Sequence, residues 1–132
     1  MKKLLSLTAL VLLLAACSGD GGTPAPLALT AADSGTTVGL EPGQAVEITL
    51  ESNASTGYAW NLVEEPDSSV LTLVSSEYVE PDTPEGVVGA AGTEAWKFEA
   101  VAAGTASLKL AYFRSFEPES VGGEFQLTVD VK

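Results

Sequence analysis

Apolar and polar residues alternate in one short segment after another from residue 36 onward, and this period constrains the fold more than any other feature. Ala45–Glu51 alternates strictly, as a strand with one buried face does. The other predicted strands are Thr36–Leu40, Tyr58–Val63, Val70–Tyr78, a segment at Trp96–Ala100, Thr105–Phe113 and Phe125–Val131. Because no long stretch after residue 16 carries a helical stripe, we predict an all-β fold. It would be an immunoglobulin-like sandwich of two sheets with about seven antiparallel strands.

The beginning of the chain predicts export and lipidation. Met1–Lys3 is positively charged, and Leu4–Ala16 is apolar but too short to span a bilayer, as in a secretory signal. The sequence LAAC at Leu14–Cys17 is similar to the lipobox of bacterial lipoproteins, in which the signal is removed before the cysteine and the cysteine is acylated. This similarity implies lipidation of Cys17. A plain signal with an incidental cysteine is the alternative.

These features divide the chain into three parts. We expect a signal peptide in residues 1–16, a lipidated cysteine with a flexible tether in residues 17–30, and one folded domain in residues 31–132. The lipid would anchor the protein to a bacterial membrane in the cell envelope. Ser18 after the cysteine resembles outer-membrane sorting in Gram-negative envelopes, where the protein would lie on the outer membrane or face the periplasm.

The composition excludes several kinds of catalytic site. The chain has no histidine and one cysteine, so it can build neither a Ser-His-Asp triad nor a Cys-His pair, and it lacks the usual ligands of zinc and copper. We therefore expect no metal and no cofactor. A carboxylate pair that hydrolyses glycosides is an alternative, but most acidic residues occupy solvent-facing strand positions or loops. We predict that the chain is not an enzyme.

The charge of the chain limits its partners. A net charge of −12 disfavours nucleic acid, because nucleic-acid binders need basic patches. Removal of the signal with Lys2 and Lys3 would bring the net charge to −14. This acidity favours solubility, and it would also steer the domain toward a basic partner. We expect the domain to be a monomer.

Three connections between the predicted strands are less regular than simple turns. They are Asn53–Tyr58, residues 79–93 with three glycines, and Arg114–Gly123. If successive strands alternate in direction, all three lie at one end of the sandwich. Loops held together on a rigid scaffold commonly carry binding function.

In order and content these loops resemble those of the chagasin-like inhibitors of papain-type cysteine proteases. That family carries an N-P-T-T-G loop followed by tyrosine or phenylalanine, a G-x-x-G loop and an R-P-W loop on an immunoglobulin-like sandwich. This chain has NASTGY at Asn53–Tyr58, GAAG at Gly89–Gly92 and RSF at Arg114–Phe116. It departs from the family at Ala54 and Ser115, where the family has proline, and at Ser55 and Phe116, where it has threonine and tryptophan.

The resemblance implies a reversible, non-covalent, competitive inhibitor that inserts three loops into the cleft of a papain-like cysteine protease. The first loop would go deepest, with Thr56 beside the catalytic cysteine, and small residues there let the backbone approach closely. The implied protease-binding residues are Asn53, Ala54, Ser55, Thr56, Gly57, Tyr58, Gly89, Ala90, Ala91, Gly92, Arg114, Ser115 and Phe116. The alternative function is a structural or adhesive envelope lipoprotein whose domain binds a protein or a glycan.

Overall fold

The computed structural model describes residues 24–82 and 91–132. The signal peptide, Cys17, Gly89 and Ala90 lie outside the described residues. The strands are β1 Leu27–Thr30, β2 Thr36–Leu40, β3 Ala45–Ser52, β4 Tyr58–Glu64, β5 Leu71–Val79, β6 Gly92–Ala100, β7 Gly104–Arg114 and β8 Gly123–Val131. Two single 3-10 turns, Ala31–Asp33 and Ala54–Thr56, are the other regular elements among these residues. No helix in the described part is long and apolar enough to cross a membrane.

The strands form two sheets of four, which confirms the predicted all-β sandwich. One sheet has the order β1-β3-β6-β5 and the other β2-β8-β7-β4. The alternating residues point inward as predicted, and the core is built from rows such as Val46, Ile48 and Leu50 on β3. Trp96 is buried in this core, whereas Trp60, on the outer strand β4, is partly buried and packs against it. Burial of each large apolar side chain stabilises the fold by roughly 1.5–3 kcal/mol.

The structure differs from the prediction in three details. The described residues form eight strands rather than about seven, and the sheets are mixed, since β1 pairs in parallel with β3 and β2 in parallel with β8. The parallel pairs arise because the chain crosses from one sheet to the other through the 3-10 turn Ala31–Asp33. The tether does not extend to residue 30, because Leu27–Thr30 pairs in register with Val46–Thr49. With Leu29 as its one fully buried side chain, β1 is too short to show a period of two.

The topology brings the three irregular connections to one end of the sandwich, as predicted. We call Asn53–Gly57 loop 1, residues 80–91 loop 2 and Ser115–Gly122 loop 3. Ser52 pairs with Gly92, so the start of loop 1 adjoins the end of loop 2. Tyr58 pairs with Arg114, so the end of loop 1 adjoins the start of loop 3. Loop 1 crosses from one sheet to the other.

Candidate functional site

Loop 1 is a closed turn rather than an extended segment. Asn53 caps the 3-10 turn Ala54–Thr56, and its side-chain oxygen accepts hydrogen bonds from Ser55 N at 3.2 Å and Ser55 Oγ at 2.6 Å. The turn ends at Gly57, which has a φ of 83° and donates its N–H to Ala54 O at 3.1 Å. A capped turn of this kind satisfies its own backbone groups and keeps the tip in one conformation. The side chains of Ala54, Ser55 and Thr56 are all exposed.

Thr56, the residue implied to lie beside the protease cysteine, also braces the turn. Its Oγ1 donates to Asn53 O at 2.7 Å, and its N–H donates to the same oxygen at 3.1 Å. The Thr56 hydroxyl in turn accepts the N–H of Tyr58 at 3.4 Å. The hydroxyl and N–H groups of Thr56 are thus engaged within the loop, although its side chain is exposed.

Arg114 joins loop 1 to loop 3. Its Nε donates to Thr56 O at 3.0 Å, and its Nη1 forms an ion pair with Glu117 Oε1 at 3.0 Å. The guanidinium also lies 4.7 Å from the centre of the Tyr58 ring, a favourable cation–π position. The resemblance implies that Arg114 contacts the protease. In the structure its Nε and Nη1 donate within the domain, where they hold the tip of loop 1.

Stacked aromatic rings support loop 1 from below. Tyr112 lies between Tyr58 and Trp60, with ring centres 5.1 Å and 5.0 Å away. The Tyr112 hydroxyl accepts the N–H of Asn53 at 2.8 Å, and Trp60 Nε1 donates to Glu51 O at 3.0 Å. Tyr58 and Trp60 therefore hold the loop against the sandwich, as their position after Gly57 predicts.

Loop 3 presents the most exposed aromatic ring of the described residues. Phe116 is 70 % exposed. It is the third residue of a turn in which Glu117 N donates to Arg114 O at 2.8 Å, and Ser115 occupies the second position of that turn. The edge of the Phe116 ring also covers Gly57, where an added Cβ would lie 3.3 Å from Phe116 Cε1. Loops 1 and 3 thus form one continuous surface with a large apolar group at its side.

Of the predicted G-x-x-G segment, Ala91 and Gly92 are described. Gly92 is buried at the base of loop 2. A Cβ at this position would collide with the carbonyl oxygen of Val79 and lie 2.6 Å from the hydroxyl of Tyr78. Glycine is needed here because the backbone carbonyl of Val79 leaves no room for a Cβ, so Gly92 shapes the base of the loop rather than its surface.

Sequence reasoning missed Ser52, Glu94 and Tyr112. Ser52 and Glu94 are the buried polar residues of the described part, and they form a hydrogen bond of 2.7 Å. The sequence does contain an indication of the buried Glu94, because this residue lies in the same alternating row as Trp96 and Phe98. A charged residue in an apolar row marks either a break in the pattern or a buried functional group.

The chain is similar to known protease inhibitors in both sequence and structure. A model of the family described as Chagasin family peptidase inhibitor I42 matches residues 39–129. The chain is 37 % identical to chagasin from Trypanosoma cruzi over 79 % of this chain and 94 % of chagasin. It is similar to the crystal structure of the cysteine protease inhibitor EhICP2 from Entamoeba histolytica, with a TM-score of 0.72, 26 % identity and coverage of 82 % of this chain and 96 % of the other.

A third similarity concerns the fold alone. The structure of PbICP-C in complex with falcipain-2 matches with a TM-score of 0.61 and 19 % identity, over 85 % of this chain and 95 % of the other.

Proposed function

The chain belongs to the chagasin family of inhibitors of papain-like cysteine proteases, and we propose that it inhibits such a protease reversibly and competitively with loops 1 to 3. Membership in an inhibitor family also means that the chain is not an enzyme. The observation that carries the proposed mechanism is the closed, exposed turn of loop 1, braced by Arg114 and Tyr112. Its narrow tip of small side chains fits a cleft that a bulky loop could not enter.

The closed turn explains how such a loop can occupy a protease without being cut. A substrate lies along a cleft as an extended strand, whereas the peptide bonds of Ala54–Thr56 are folded into a 3-10 turn. The hydrogen bonds from Thr56 N and Gly57 N would have to break before the loop could extend. Because these bonds already exist in the free inhibitor, little conformational entropy is lost on binding.

Loop 3 supplies the second part of the proposed contact. Phe116 and Val121 are 70 % and 48 % exposed, so both offer apolar surface on loop 3. Exposed aromatic groups at the centre of an interface commonly contribute much of the binding energy. Together with loop 2, these loops could bury the roughly 1,600 Å² of a standard interface.

We further propose that Cys17 carries lipid and that the protein works from a bacterial membrane as a monomer. The fold is compatible with this arrangement. Gln44 Nε2 donates to Ala25 O at 2.9 Å, and Gln44 lies at the end of the sandwich opposite loop 1. The chain therefore enters the domain far from the loops. A tether of about nine residues could span about 30 Å when extended, which would leave the loops facing away from the membrane.

The proposed inhibition is tested by steady-state kinetics of papain with residues 18–132. We expect the apparent KM to rise with inhibitor concentration while kcat stays constant, and mass spectrometry to recover an uncut chain. An absence of inhibition would favour the structural or adhesive alternative. Cleavage between Asn53 and Tyr58 would show that loop 1 binds as a substrate.

The anchor is tested separately by Cys17→Ala in a bacterial host. We expect the protein to move from the membrane fraction to the soluble or secreted fraction, because a buried acyl chain contributes roughly 0.8 kcal/mol per methylene. Unchanged membrane retention would contradict lipidation at this cysteine.

A further inference from the structure

A buried carboxylate lies between the two sheets directly beneath loop 1. Glu94 points inward from β6, where it pairs with Leu50 of β3 on one side and Tyr78 of β5 on the other. It is 9 % exposed. Within residues 24–82 and 91–132 the ion pairs are Lys109–Glu124 and Arg114–Glu117, so no cation of the described part neutralises Glu94. A carboxylate in this position has to be satisfied by hydrogen bonds.

Its hydrogen-bond donors lie on both sides of loop 1. One oxygen, Oε2, accepts Ser52 Oγ at 2.7 Å and the backbone N–H of Trp60 at 3.0 Å. The other, Oε1, accepts Trp96 Nε1 at 3.3 Å. Ser52 is the last residue before loop 1, and Trp60 comes shortly after it. A single oxygen atom therefore receives one donor from each stem of the loop.

The two stems belong to different sheets. Ser52 ends β3 in one sheet, and Trp60 lies on β4, the outer strand of the other. The contacts from Arg114 and Tyr112 hold the loop only to the sheet that contains β4 and β7. Glu94 reaches from the opposite sheet, and the hydrogen bond from Trp60 Nε1 to Glu51 O reinforces the same junction. The two stems are thus joined by this carboxylate together with the bond between Trp60 and Glu51.

We propose that Glu94 is a positioning residue for the inhibitory loop: it fixes the distance between the stems and keeps loop 1 in its closed turn. The effect on inhibition rests on the proposed function, whereas the effect on the loop does not. If Glu94 only stabilised the core, its loss would loosen the whole domain evenly. If it positions loop 1, its loss loosens this loop first.

Glu94→Gln tests the proposal with little change in shape. A glutamine offers one acceptor oxygen and one amide group that donates. In either orientation the amide faces at least one of the donors from Ser52, Trp60 and Trp96, so part of the network is lost. The matched control is Val131→Ala. Val131 is 4 % exposed and pairs with Leu40 and Gly104 at the opposite end, so its truncation destabilises the core without touching the stems.

The first readout is amide hydrogen exchange in the free protein. The reporters in loop 1 are the N–H groups of Thr56 and Gly57, and those at the far end are Ala100 and Lys132, which donate to Gln44 O and Leu40 O. For Glu94→Gln we expect the exchange rates in loop 1 to rise about tenfold more than those at the far end, because the loop opens locally. For Val131→Ala we expect no such difference. Equal loosening of loop 1 in both variants, or none in Glu94→Gln, would overturn the proposal.

The second readout is the inhibition constant for papain. If loop 1 is closed in only a fraction of molecules, the apparent constant rises by the inverse of that fraction, about tenfold for a closed fraction of about 10 %. An unchanged constant for Glu94→Gln would overturn the role in inhibition. Should the parent domain fail to inhibit papain while the exchange result holds, the proposed function fails and the positioning role stands.

Ser52→Ala covers the case in which Glu94→Gln does not fold. It removes one stem donor and leaves the carboxylate bonded to Trp60 N and Trp96 Nε1. We expect a smaller change of the same kind, confined to loop 1. Exchange in loop 1 identical to that of the parent would contradict the proposal.

Discussion

Arg114 Nε donates a hydrogen bond of 3.0 Å to the carbonyl oxygen of Thr56, so the residue before loop 3 supports the tip of loop 1. This contact makes the two loops one unit in the free inhibitor. Arg114 therefore has a structural role in the free domain, in addition to the protease contact that the resemblance implies.

The first prediction concerns this arginine. Arg114→Ala and Arg114→Lys should both weaken inhibition of papain, by about tenfold or roughly 1.4 kcal/mol, because lysine keeps the charge but not the fork of donors. The inhibition constant and the thermal midpoint should be measured together. Full activity of Arg114→Lys would mean that charge matters and the hydrogen bond to Thr56 does not.

Gly57 and Gly43 form a matched pair for the second prediction. Both have a positive φ, of 83° and 89°, but an added Cβ at Gly57 meets Phe116 whereas that at Gly43 meets open space. Alanine at either position should lower the free energy of unfolding by about 1 kcal/mol or more, because the backbone conformation is unfavourable. Gly57→Ala should also weaken inhibition, since it displaces Phe116 or the turn. Equal inhibition constants for the two variants would contradict the contact between loops 1 and 3.

The third prediction uses the turn of loop 3. Ser115 occupies the second position of the turn closed by Glu117 N and Arg114 O, where proline is favoured. Ser115→Pro should therefore stabilise the loop by about 0.4–1 kcal/mol, and with Phe116→Trp it should tighten inhibition about tenfold. The gain should appear as slower dissociation in a binding-kinetics experiment. A double variant that dissociates as fast as the parent would place loop 3 outside the interface.

The parts of the fold that could be predicted from the sequence are those with a strong local pattern. Val46, Ile48 and Leu50 alternate with polar residues because one side of β3 faces the core, and the structure confirms their burial. β1 could not be found in this way, because its pairing with Val46–Thr49 depends on a contact distant in sequence. The parallel pairs follow from the crossing of the chain between sheets, and the local alternation of apolar and polar residues gives no sign of this crossing.

The site shows the same division. The turn of loop 1 could be predicted from its small residues and Gly57, which supplies the positive φ. The hydrogen bonds to Glu94 beneath the turn could not be predicted, because they join it to Ser52 and Trp60, which are 42 and 34 residues away in the chain. Likewise the sequence places Gly92 in a flexible loop, whereas the structure shows that the backbone carbonyl of Val79 leaves no room for a Cβ there.

Entry of the tip of loop 1 into the protease cleft is tested most directly by Ala54→Trp. The Ala54 side chain is exposed, and the substitution leaves its carbonyl free to accept the N–H of Gly57. Glu41→Trp is the control, since Glu41 is an exposed residue at the opposite end of the sandwich.

The decisive measurement is the inhibition constant of both variants for papain, with thermal midpoints to confirm folding. We predict that Ala54→Trp weakens inhibition by about a hundredfold or more, roughly 2.7 kcal/mol, while Glu41→Trp inhibits like the parent. A folded Ala54→Trp variant that inhibits papain as well as the parent would contradict entry of loop 1 into the cleft.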